Sequence, residues 1–278
     1  MEYLYHYTSL ETLALILANK TICFNNLLNV DDIEEAESED MGLFGRFVYV
    51  SCWTDESKES IPLWNLYTPD MHGVRIKLPI FPFKKHKYKR GELFFTEEIE
   101  TYIDCYKIYS DNKVSIAPNN PILKKVEYTD EVNKLYPKIK TESFVGATEK
   151  FLNAKSMKEL CGERIEISYS MEEIGKYKRE DWKFQSEWRY IITFTPMGLQ
   201  ELGPPTFEKQ QEYLRRLENR EIVPPYQRIF LDVDEAAFED MEVVFGPRMN
   251  DAEKIMAISL LNRYVPNCKY KNSNLKIK

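Results

Sequence analysis

The sequence predicts an α+β fold, a strand-rich core interrupted by one inserted elaboration. Short aromatic and β-branched runs recur towards both ends of the chain, at residues 3–7, 47–53 and 189–194. They are not separated by regularly spaced helices. From about residue 79 to 178 the pattern loosens, punctuated by Pro79, Pro82, Pro118, Pro121 and Pro137. The 278 residues therefore read as a single domain, 1–278, with an elaboration at about 79–178.

Residues 3–7 form the first expected strand, with Leu4 and His6 on one face and Tyr3, Tyr5 and Tyr7 on the other. Thr8 is expected to cap the next helix, with Glu11 completing a capping box and Leu10, Leu13, Ala14 and Leu17 as the buried stripe. A short strand follows at 21–24. Residues 29–40 are acidic, with Asp31, Asp32, Glu34, Glu35, Glu37, Glu39 and Asp40. They read as an exposed helix or loop, with a lid or partner surface as the alternative; the spacing is not that of a calcium loop. Residues 47–53 suit a buried strand. Ser60 is placed to cap a helix that tolerates Pro62 in its first turn, and Trp64 and Tyr67 then share a face. Gly73 ends that region, and residues 74–78 form a half-buried strand. Within the elaboration, residues 97–109 and 143–160 look helical.

The core resumes at Trp182 with a strand at 189–194 and a charged amphipathic helix at 207–220. Strands at 228–233 and 241–245 precede a Gly246-Pro247 turn. Asn250 or Asp251 caps an amphipathic helix reaching Arg263, and residues 268–277 close with a strand.

A net charge of −7 makes the chain a poor general nucleic-acid binder. The one dense basic run, residues 84–90, is either a solvated loop or a local phosphate-binding strip. Five cysteines, Cys23, Cys52, Cys105, Cys161 and Cys268, are scattered without a C-x-x-C, which argues against a disulfide framework or a zinc site and for a cytoplasmic setting. No signal peptide is apparent, and the apolar run at 13–17 is too short to span a membrane.

The candidate chemistry lies in three separated segments: Leu4-Tyr5-His6-Tyr7-Thr8-Ser9, Trp64-Asn65-Leu66-Tyr67 and Gln185-Ser186-Glu187-Trp188-Arg189-Tyr190. Cleavage of the nicotinamide–ribose bond of NAD needs a carboxylate near an oxocarbenium-like sugar, groups that bind ribose hydroxyls, and a ring that clamps nicotinamide. Glu187 fits the carboxylate role, His6 the hydrogen-bonding role, and Tyr67 or Trp64 the stacking role. Gln185, two residues before Glu187, would share its strand face and touch the incoming nucleophile. Each residue also has a plainer use: Glu187 in an ion pair with Arg189 or a lysine, His6 in the core, Trp64 and Tyr67 on a buried helix face.

The same segments, with Val50-Ser51-Cys52-Trp53-Thr54 and Phe245-Gly246-Pro247-Arg248, resemble a large bacterial family found around phage-defence loci. The order His, Tyr, Glu also resembles the triad of the ADP-ribosyltransferase superfamily. That resemblance implies a split β-sandwich core around an NAD cleft, with a helical insertion. It implies Glu187 as catalytic, His6, Tyr67, Thr8, Ser51 and Trp64 as NAD-binding, and Gln185 as target-contacting. Ser51-x-x-Thr54 departs from the Ser-Thr-Ser strand motif of one branch. The chain is similar, too, to toxins of three-part defence systems, in which an mRNA-modifying ADP-ribosyltransferase is restrained by an antitoxin and a SecB-like chaperone. Those resemblances imply transfer of ADP-ribose to a macromolecule, with RNA ranked ahead of protein or DNA. The alternatives are a non-catalytic sensor or scaffold in phage defence, and a metal-dependent nuclease using Glu187 with residues of the acidic segment.

Overall fold

The computed structural model describes residues 2–110, 113–145, 164–195 and 207–277. The strands in its first half are β1 Tyr3–Thr8, β2 Thr21–Asn26, β3 Val48–Thr54, β4 Val74–Pro79, β5 His86–Tyr88, β6 Ile99–Thr101, β7 Ser115–Ile116 and β8 Ile122–Lys125. They are followed by β9 Glu127–Tyr128, β10 Lys140–Val145, β11 Arg164–Tyr169, β12 Tyr177–Lys178, β13 Glu187–Thr195, β14 Arg228–Asp232, β15 Glu242–Phe245 and β16 Lys269–Asn272. The fold is α+β and its centre is an open, mixed, ten-stranded sheet.

That sheet forks at β3. One edge of β3 is covered by β13, in antiparallel register from Glu187 opposite Thr54 to Thr193 opposite Val48. Two strands share the other edge: β2 pairs near Tyr49 and Val50, and β1 meets β3 only where Tyr5 lies opposite Thr54. One branch continues from β2 to β14; the other runs from β1 through β4 and β15 to β16. Only β15 and β16 pair in parallel within the ten. The apolar alternation explains which faces are covered: Leu4, Phe24, Ile76 and Ile192 all point into one core.

Two helices frame the fork. α1, Leu10–Asn19, packs against the helix Asp251–Tyr264. α2, Ile61–Tyr67, begins at a Ser60 cap whose Oγ accepts from the Leu63 amide, with Pro62 in the first turn. α2 sits on a second, smaller cluster of Tyr7, Leu63, Trp64, Met71 and Val244, with Leu275 and Ile277 packed against it. Backbones approach closely here: a Cβ on Gly246 would lie 2.2 Å from the Met71 carbonyl oxygen, and the Gly246 amide donates to the Gly73 carbonyl at 2.8 Å.

The stretch 79–178, expected to be an elaboration, contributes strands to the central sheet, because β7 and β8 both hydrogen-bond to β13. Its other strands form separate pairs: β5 with β6, β10 with β11, and a parallel β9–β12 pair.

Several expectations need correction. The cap of α1 is Ser9, not Thr8, because Thr8 remains paired in β1 opposite Val74; Ser9 Oγ accepts from the Thr12 amide at 3.2 Å. Residues 97–109 are not one helix: Ile99–Thr101 pairs with His86–Tyr88, and only Cys105–Tyr109 is helical. Residues 143–145 lie in β10, and 146–160 fall outside the described residues. The acidic segment is not wholly exposed, since its short helix Ile33–Ala36 buries Glu35 and Ala36. The closing strand is only Lys269–Asn272. Among the described residues no helix is long and apolar enough to cross a membrane.

Candidate functional site

A pocket of about 60 Å³, open on one side, lies where the sheet forks. Its walls are Tyr5, His6 and Tyr7 of β1, Cys52, Trp53 and Thr54 of β3, Leu63 and Tyr67 of α2, and Gln185 and Glu187 beside the start of β13. His6, Tyr67, Gln185 and Glu187, drawn from three distant segments, thus meet at one place. Thr8, Ser51 and Trp64 are not among the walls. Thr8 is buried at the end of β1, and Ser51 Oγ accepts from Trp53 Nε1 at 3.0 Å. Trp64 is fully buried, edge-on to Tyr7, and donates through Nε1 to Glu59 at 3.1 Å. It belongs to the core beneath α2, because the face of α2 that Trp64 occupies points inward while Tyr67, three residues on, reaches the fork.

His6 is half-buried, 5.0 Å from the Trp53 ring. Its Nδ1 lies 2.8 Å from the Cys52 carbonyl oxygen, which can only accept, so Nδ1 carries the proton. Burial lowers the imidazole pKa against the raising effect of that hydrogen bond, which favours the neutral ring. Nε2 is then an acceptor.

Tyr67 hydroxyl accepts from Gln185 Nε2 at 2.7 Å. Burial, then the Glu187 carboxylate, push that hydroxyl well above its ordinary pKa, so it stays protonated. Gln185 does not share a strand face with Glu187 as expected. It ends a short helix, Glu180–Gln185, and Ser186 then takes a left-handed conformation (φ 42°) that turns the chain into β13. The turn, not strand alternation, brings both side chains to the pocket.

Glu187 is 4 % exposed and engaged from behind. Arg189 grips it with two bonds, Nε to Oε1 at 2.6 Å and Nη2 to Oε2 at 3.1 Å, and Lys178 Nζ reaches Oε2 at 3.2 Å. The Glu187 amide donates to Tyr128 hydroxyl at 2.9 Å. Burial alone would raise the Glu187 carboxyl, but Arg189 and Lys178 outweigh it and hold it well below the usual carboxylate range. Burial and the neighbouring Glu187 carboxylate push the Cys52 thiol up, so Cys52 faces Glu187 as S–H.

The cations have a second anion. Arg189 Nη1 bonds Glu35, from the acidic segment, and Lys178 Nζ lies 3.2 Å from Glu35 Oε1. Two carboxylates and two cations form a buried, neutral quartet behind the pocket. The ion pair of Glu187 with Arg189 and a lysine is therefore present alongside its place in the pocket wall. Lys178 and Glu35 were not singled out from the sequence, and no local pattern marks them; their partners are 9 and 154 residues away. Cys52 stood inside a quoted motif without a role, and Arg189 only as the ion-pair partner of the plainer reading of Glu187.

Between Glu35 and Glu187 the space is filled by the ammonium of Lys178 and the guanidinium of Arg189, where a bridging metal would have to sit. Among the described residues no group of three or more His, Cys, Asp or Glu is arranged to hold a metal ion. In the basic run, Lys85 and Lys87 are both paired with Glu100, which reduces its charge as a phosphate strip.

The pocket volume is below the ~150 Å³ of an enclosed cavity that binds benzene. The wall combines apolar and aromatic sides with an imidazole acceptor, a tyrosine hydroxyl and a carboxylate.

No protein-family model, curated protein or solved structure matches the chain.

Proposed function

We propose that this protein is an ADP-ribosyltransferase that transfers ADP-ribose from NAD to a macromolecule. The observation that carries this reading is the convergence of His6, Tyr67 and Glu187 on one pocket at the fork of the sheet. In this reading nicotinamide enters between Tyr67 and the aromatic wall of β1 and β3. His6 Nε2 accepts from a ribose hydroxyl or the carboxamide. Glu187, ionised throughout the physiological range, accepts a ribose hydroxyl and faces the developing positive charge. Arg189 and Lys178 offset its charge, so its contribution is directional hydrogen bonding more than a bare electrostatic field. Gln185 borders the place from which a nucleophile would approach. The target favoured is RNA, ahead of protein or DNA, and the setting is a cytoplasmic anti-phage toxin restrained by an antitoxin and a SecB-like chaperone.

One observation favours a second reading, a sensor that binds a nucleotide without consuming it: both Glu187 oxygens already accept from cations. Nicotinamide release from NAD separates the two. The transferase releases nicotinamide, and Glu187→Gln and Tyr67→Phe reduce the rate at least about tenfold at equal folded fraction by circular dichroism. Binding of NAD with no release by the wild type would support the sensor instead.

A further inference from the structure

We propose that Lys178 is a positioning residue of this site: its ammonium fixes the amide of Gln185 and the carboxylate of Glu187 so that the pocket presents one defined set of donors and acceptors. The inference rests on the pocket being where NAD reacts.

The geometry is specific. Lys178 is 2 % exposed and its Nζ donates to Gln185 Oε1 at 2.8 Å and to Glu187 Oε2 at 3.2 Å. Glu35 Oε1 sits 3.2 Å away as an ion contact without hydrogen-bond geometry, and the Trp182 ring covers the ammonium at 4.5 Å. An ammonium can only donate. Gln185 must therefore turn its oxygen to Lys178 and its NH₂ to Tyr67, and the Tyr67 hydroxyl, already accepting, is left to donate its own hydrogen, with the Asp31 carboxylate beside it. A wrong amide orientation would set NH₂ against NH₃⁺. One buried cation thus determines the polarity of a chain that ends at the pocket.

The backbone supports this role. Lys178 lies in β12 directly opposite Tyr128 of β9, and Tyr128 hydroxyl holds the Glu187 amide. The parallel β9–β12 pair, part of the elaboration, thereby grips both the side chain and the backbone of the first residue of β13. A compact lysine suits the place, because arginine's planar fork could not meet Gln185 and Glu187 from the same point.

The experiment is titration of the Glu187 carboxyl by ¹³C NMR of glutamate-labelled protein, with Glu187→Gln assigning the signal, in wild type and Lys178→Met. Groups facing that carboxyl are Lys178, Arg189, Glu35, Cys52, Tyr67 and Tyr128, and all but Lys178 are left in place. The midpoint is expected to rise by about one pH unit or more. The low-pH limb of nicotinamide release should move with it, and turnover should fall about tenfold or more. If Lys178→Met does not fold, Lys178→Met with Glu35→Met removes one cation and one anion and keeps the Glu187–Arg189 pair. An unmoved midpoint in folded Lys178→Met, or a midpoint in the folded double variant no higher than in Glu35→Met alone, overturns the role of Lys178, whatever the wild type does with NAD. A shifted midpoint in a wild-type background that never consumes NAD upholds the positioning and removes the transferase.

Discussion

Replacing Arg189 with methionine takes one of two cations out of the buried quartet and leaves Glu35 and Glu187 sharing Lys178 alone. Arg189 is 1 % exposed and donates to both Glu187 oxygens, to Glu35 and to the Gly175 carbonyl at 3.0 Å. The quartet changes from neutral to a net single negative charge in a place almost wholly out of contact with water. Removing one member of a buried ion pair costs about 3–5 kcal/mol, because the partner stays buried without compensation. For a chain of this size about 1 kcal/mol lowers Tm by roughly 2–4 °C, so a fall of about 6–20 °C is expected. The double variant Arg189→Met with Glu35→Met restores neutrality and leaves Lys178 with Glu187, so it should cost less than Arg189→Met alone. Urea unfolding of the wild type, both single variants and the double variant, with m held constant, measures the coupling. A cost below about 1 kcal/mol for Arg189→Met, or a double variant that loses the sum of the two singles, would refute the quartet as a coupled unit.

Three further outcomes are expected. His6 binds protons less readily when folded than when unfolded, so stability present above the unfolded value of about 6.5 should fall as pH drops below it; His6→Asn, which keeps a donor for the Cys52 carbonyl, should flatten that slope in melts from pH 7.5 to 5. Trp64→Phe should lower Tm by about 2–6 °C through lost packing and the bond to Glu59, yet leave NAD affinity of the folded protein within about twofold by calorimetry, because Trp64 does not wall the pocket. Gly246→Ala should destabilise by more than about 2 kcal/mol in urea unfolding, since the new Cβ meets the Met71 carbonyl and neither backbone can yield cheaply.

Features set by neighbours in the chain were legible in the sequence. The Ser60 cap with Pro62, a cap at Asn250 or Asp251, which the structure resolves as Asn250, and the extended runs of β1, β3 and β4 all follow from local rules. The convergence of His6, Tyr67 and Glu187 was expected from motif order, and their shared pocket is consistent with it. What local rules miss is long-range pairing. Glu35 reads as one more acid in a polar stretch until Arg189 meets it across 154 residues. Lys178 reads as a surface lysine at the end of a loose insertion until β9 pairs with β12. Thr8 and Ser9 are equivalent as caps by composition; only the pairing of Thr8 with Val74 decides between them. Ile99–Thr101 reads as part of a helical run and is a strand instead because His86–Tyr88 lies beside it.

The most direct measurement is transfer from NAD labelled on the adenylate portion, in bacterial lysate, by wild type, His6→Ala and Glu187→Gln at matched folded fractions. Label should pass to a macromolecule with the wild type, fall at least about tenfold with either variant, and be lost on treatment with RNase. Undiminished transfer by folded Glu187→Gln, or no transfer and no nicotinamide release by well-folded wild type freed of any antitoxin, would contradict the assignment of this pocket as a transferase site.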